Sequence, residues 1–390
     1  MTAVERLRSE PYRLFFPLGV LLSWAGVGHW LLFGWGATQE YRSIFHAITQ
    51  VQGFLMCFAA GFLTTMLPRR TSSPPPSLAL IALCLLCPIA TSVAAWRGAW
   101  ILAQLCWLVL AVALLAFAAP RLGPALGTRR PPHSFVWIPA ALALGILGTL
   151  ATAVGAALGP AAWSLHELGR GLVLQAMFVA LVLGVGSFAI PLLTRGEAAA
   201  DAGQTPRDDL LRTLHLLGIG ALAASFVVEA WGSVRLGLGL RGAVAWAVLL
   251  LAARLYRPPA RPGLIRWSIW SAAWCVPLGY TVAALSPLAV AGPLHITFIG
   301  GFALLALSVG AQVILGHGGY GRLKAGRPPA LLAMIAALLL AIAARLMMVV
   351  REDQLLLWTA WAAGLFLVAT ATWSAFLIPK LFRQPRELER

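Results

Sequence analysis

The chain has 390 residues, of which 60% are hydrophobic and only 11% are charged. A soluble chain would carry about a quarter charged residues, so the composition excludes a soluble globular protein and points to an all-α polytopic membrane protein whose partner is the lipid bilayer. The formal net charge of +16 does not imply nucleic acid, because the arginines sit in short links between apolar runs.

Twelve apolar runs are long enough to span a bilayer: 13–35, 44–67, 77–96, 98–118, 135–158, 165–193, 209–231, 236–254, 264–285, 293–316, 329–350 and 355–378. The first is too long for the apolar core of a cleavable leader and reads as a true span. The links are short and built of Pro, Gly and Arg, as at 68–76 and 257–263; only 195–209 is a longer polar loop. A single transmembrane domain over 1–390 is therefore expected, with no soluble domain. Five cysteines (Cys57, Cys84, Cys87, Cys106, Cys275) all fall inside apolar runs, and an odd number in hydrocarbon reads as packing rather than as a disulfide framework.

Orientation follows from the basic residues. With the N-terminus inside, 22 of the 29 Lys and Arg residues lie in inner segments, and the outer side keeps only Arg42, Arg97, Arg170, Arg235, Arg241, Arg345 and Arg351. That asymmetry predicts cytoplasmic termini, with odd runs going outward and even runs inward.

The direction of each run sets the depth of each histidine. His29, His46, His166 and His295 fall near the outer face, and His215 and His317 near the inner one. The 22 residues from His295 to His317 would span about 33 Å as a helix, so those two serve different membrane faces. His133 reads as a loop residue. Phe45-His46, Leu165-His166 and Leu294-His295 each open an inward run. Each such run later carries a small-residue step (Ala60-Gly61, Gly186-Ser187, Gly310-Ala311) and closes on Arg69, Arg195 or Arg322. The pattern predicts three four-helix units, about 1–125, 126–255 and 256–390, around a pseudo-threefold axis.

Polar groups inside a span are functional candidates because burial in hydrocarbon is costly. His46, Thr49, Gln50, Gly53, Cys57, Gly61 and Thr64 share one helical face. Gly300-Gly301 below His295 leaves room for a flat macrocycle against the backbone. Neutral imidazoles on facing helices suit haem iron or copper. Arg170, Arg241 and Arg345 lie at the same level and could pair with haem propionates. His29 beside Trp24 and Trp30 reads more simply as interfacial packing. His215 and His317 could form a second ligand pair or a proton relay, with helix capping as the plainer alternative.

Ala60-Gly61-Phe62-Leu63-Thr64-Thr65-Met66-Leu67-Pro68 and Leu315-Gly316-His317-Gly318-Gly319, within segments 45–71, 165–196 and 294–322, resemble signatures of the NnrS family. The resemblance covers most of the chain. It implies a twelve-span haem- and copper-containing bacterial membrane protein linked to nitric oxide and nitrosative stress. The family's Trp-His-x-His-Glu signature is represented here by Phe45-His46-Ala47-Ile48-Thr49, which keeps one histidine and lacks the glutamate. The architecture is also similar to the catalytic subunit of haem–copper oxidases and nitric oxide reductases, where spans 2 and 10 hold haem and span 6 a further metal. That likeness implies His46 and His295 as ligands of one haem b, and His166 as a ligand of copper or a second haem. A single histidine at His295-Ile296-Thr297 departs from the oxidase pattern. The rival expectations are a haem-free transporter, with Arg345 and Glu229 on its pathway, and a structural subunit of a respiratory complex.

Overall fold

The computed structural model describes residues 2–123, 130–197, 201–203, 205–286 and 290–383, and among these there is no β-strand. Eleven segments are long and apolar enough to cross a membrane. The longest, His133–Arg195, has 63 residues, far beyond the roughly 20 needed to span. It turns back at Gly159, whose φ of +73° is costly for residues with a Cβ, and its two arms pack side by side.

With those arms taken separately, the long helices are α1 (Tyr12–Gly34), α2 (Ser43–Thr71), α3 (Leu78–Trp96), α4 (Trp100–Leu122), α5 (Trp137–Leu158) and α6 (163–195). The second half continues with α7 (Pro206–Trp231), α8 (Val234–Leu251), α9 (Leu264–Leu285), α10 (Ala291–His317), α11 (Pro329–Val350) and α12 (Leu355–Phe382). Their starts are written locally. The hydroxyls of Ser77, Thr205 and Ser233 accept from backbone amides of the first turn, and Thr205 with Asp208 forms a capping box.

Burial separates centre from rim. The most apolar window of α2 is 83% buried, that of His133–Arg195 78% and that of α10 67%, whereas no other exceeds 50%. The helices opened by the three repeated histidines are thus among the innermost. The rim faces outward with large apolar side chains such as Ile101, Leu105, Leu217 and Leu251, as a lipid-facing surface requires. α12 packs on both α11 and α1, joining the end of the chain to its start. Trp24 Nε1 donates to Thr370 Oγ1 at 2.9 Å across the α1–α12 seam.

All three central helices contain a π-helical stretch: Thr49–Leu55 in α2, Leu172–Ala176 in α6 and Ile296–Ala303 in α10. Each begins within two turns of its histidine. Such wide turns rotate the side chains that follow relative to a regular helix and recur at functional sites.

The basic links gather at one end of the bundle. Arg69 donates to the Ser9 carbonyl, Arg70 pairs with Asp201, and Arg257 pairs with Glu197 at 3.0 Å. His46 and His295 mark the opposite end, at the far tips of α2 and α10.

Candidate functional site

The histidine end is assembled by α1, α2, α10 and α11. His46 Nδ1 donates to the Gly26 carbonyl of α1 at 2.8 Å. His295 Nδ1 donates to the Ala291 carbonyl, one turn back on its own helix, at 2.6 Å. A carbonyl can only accept, so in both rings Nδ1 carries the proton and Nε2 keeps its lone pair. A metal-ligating imidazole needs that arrangement, with the backbone fixing tautomer and ring orientation.

His29 stands beside them. Its ring is 6.3 Å from that of His46 and 4.5 Å from Trp30, and it is only 6% exposed. Around the rings, Trp30 and Phe33 pack against Tyr41, and Phe45 against Trp96. Tyr41 and Gly26 were not singled out from the sequence. No spacing signals them, because each matters only once α1 and its outgoing loop lie against α2.

Arg345 completes the group. The first turn of α10 packs on α11, and Arg345 lies within electrostatic range of both His46 and His295. Its Nη1 reaches only the sulfur of Met348, at 3.0 Å, and its Nε has no partner. Among the described residues no carboxylate pairs with it. A guanidinium held this way inside a bundle is available to an anionic group.

The other expected residues lie elsewhere or are already engaged. Gln50 Nε2 donates to the Ser23 carbonyl at 2.9 Å, and a side chain on Gly19 would meet Cys57. Part of the polar stripe of α2 is thus packed on α1. Gly300 and Gly301 face α9: added Cβ atoms would meet Cys275 Sγ at 3.0 Å and Val276 Cγ2 at 2.8 Å. The glycine pair admits a neighbouring helix where a macrocycle face was expected. His166 sits apart on α6, stacked on Trp163 at 5.2 Å, with Nδ1 donating to the Thr152 carbonyl at 3.2 Å. Its Nε2 keeps a lone pair as well, but its helix turn packs on α5 and α7.

Arg170 is exposed and paired with Glu167 at 2.5 Å. Arg241 is wholly buried: it pairs with Glu229, donates to Gln175 Oε1 at 2.8 Å and lies 3.4 Å over the Phe226 ring. Neither is placed as Arg345 is. At the basic end His317 accepts from Arg69 Nη1 at 2.7 Å, and His215 accepts from Trp137 Nε1 at 3.1 Å. Each has its own partner, so the geometry supports the plainer anchoring reading over a shared ligand pair. Among the described residues no group of three or more His, Cys, Asp or Glu side chains is arranged to hold a metal ion.

The family model described as NnrS protein matches residues 6–386, nearly the whole chain. No curated protein matches the chain.

Proposed function

The chain belongs to the NnrS family, a family of membrane proteins linked to nitric oxide, and on that premise we propose that the histidine end of the bundle binds a haem b. The observation that carries this reading is the pairing of two imidazoles whose Nε2 lone pairs are free with a half-buried guanidinium that, among the described residues, lacks a carboxylate. His46 and His295 would hold its iron, and Arg345 would receive a propionate. The donor set fits the group in three respects: neutral imidazole ligands, an apolar aromatic surround and one cation for the carboxylate edge. When bound, a haem supplies one-electron exchange and an affinity for diatomic ligands. The chain's own part is to fix the two rings through Gly26 and Ala291, to shield them with Trp30 and Phe45, and to neutralise the carboxylate. His29, its ring 6.3 Å from that of His46, is the donor placed for a second metal, copper, beside it.

In this reading the protein crosses a bacterial inner membrane twelve times as three four-helix units, with both termini in the cytoplasm and the histidine end outward. It handles nitric oxide, or passes electrons in response to it. Metal and haem analysis of the purified protein, with redox difference spectra, tests the proposal. A Soret band with about one haem per chain is expected. A haem-free, copper-free protein that retains its fold would overturn it and leave the transporter reading in its place.

A further inference from the structure

The small-residue steps of the three central helices play no part in the histidine site, yet they recur in all three. Two of them border a cavity. It lies between α2, α6 and α10 and is partly open, where α2 and α6 barely touch each other. Its volume is about 110 Å³, and its wall includes Phe58, Ala59, Val182, Gly186, Ala306 and Gly310. Every side chain in that wall is apolar. Water needs two to four polar partners to be stable in such a space, and none is offered here. Closed apolar cavities of roughly 150 Å³ stay dry and take up xenon or benzene.

We propose that this cavity is a binding site for a small apolar gas molecule of diatomic size. Ala59 and Ala306 help keep it open, since each stands where a larger side chain would fill it. Its position gives it a role. Leu55 and Phe302, which border it, lie nine and seven residues beyond His46 and His295 on α2 and α10. That places the cavity about 10–14 Å inward of the imidazoles along the same helices. Nitric oxide is apolar and concentrates in hydrocarbon, so gas held here sits beside the metal site without passing through water. The connection to nitric oxide rests on the function proposed above; the cavity's affinity for an apolar gas does not.

Xenon reports the site directly. The purified full-length chain in nanodiscs is titrated with xenon and followed by ¹²⁹Xe NMR against empty nanodiscs. Ala306→Leu and Ala59→Leu fill the cavity from two different helices, and Val182→Ala enlarges it. Saturable binding by the wild-type protein is expected, weakened at least tenfold in each Leu variant and retained in Val182→Ala. No saturable binding above empty nanodiscs, or equal binding in both folded Leu variants, would overturn the proposal. So would a stoichiometric co-purified acyl or isoprenoid chain that blocks xenon, since the occupant would then be lipid. Xenon binding to a protein without haem leaves this site standing and removes the proposed haem; a haem protein that binds no xenon does the reverse.

Discussion

Arg345 and Arg241 are both arginines inside helices of a membrane bundle, and their surroundings give them opposite tasks. Arg241 has Glu229, Gln175 and two aromatic rings around it, and Tyr280 Oη donates to the same Gln175 oxygen. Removing one partner of a buried ion pair strands the other, at a cost of about 3–5 kcal/mol. Arg241→Leu should therefore lower the thermal stability of the solubilised protein clearly, with any loss of haem following from unfolding. Arg345→Leu breaks no ion pair, so stability should hold while haem retention falls or its midpoint potential shifts. Equal stability losses in the two variants would show that Arg345 is structural. For His29, buried beside His46, His29→Ala should lower copper content and leave the haem spectrum in place, as metal analysis would reveal. The sequence placed these residues at one depth, because depth needs only run boundaries and direction. It could not tell which arginine was free, since Gln175 lies 66 positions from Arg241 and only helix packing joins them.

At the scale of elements, the α5–α6 hairpin shows how small residues set a close crossing. An added Cβ on Gly148 would meet the Gly169 carbonyl oxygen and the Leu172 Cβ, both at 2.8 Å. The two backbones touch because neither helix carries a side chain there, the usual device for packing helices in lipid. Gly148→Val should push α6 outward, at a cost of about 1–3 kcal/mol for overpacking. The measurement is the melting temperature by size-exclusion chromatography after heating; an unchanged value would mean that the hairpin gives way easily. The apolar runs were readable to within a few residues, and the ninth run, 264–285, coincides with α9. The π-helical stretches were not readable. They arise where packing rotates part of a helix, and composition carries no mark of them. The same gap explains Gly300-Gly301: the absence of side chains is visible in the sequence, but whether a cofactor or α9 fills the space is decided by tertiary packing.

At the scale of the whole molecule, the account depends on orientation and on the cofactor. A C-terminal reporter active only in the periplasm should stay silent, given that 22 of 29 basic residues fall on the predicted inner side. An active reporter would turn the histidine end toward the cytoplasm. The central claim is that His46 and His295 together hold haem, and reduced-minus-oxidised spectra of purified wild-type and His46→Ala, His295→Ala double-variant protein test it most directly. The account predicts a low-spin b-type spectrum in the wild type and its loss in a folded double variant; an unchanged spectrum in that variant would contradict it.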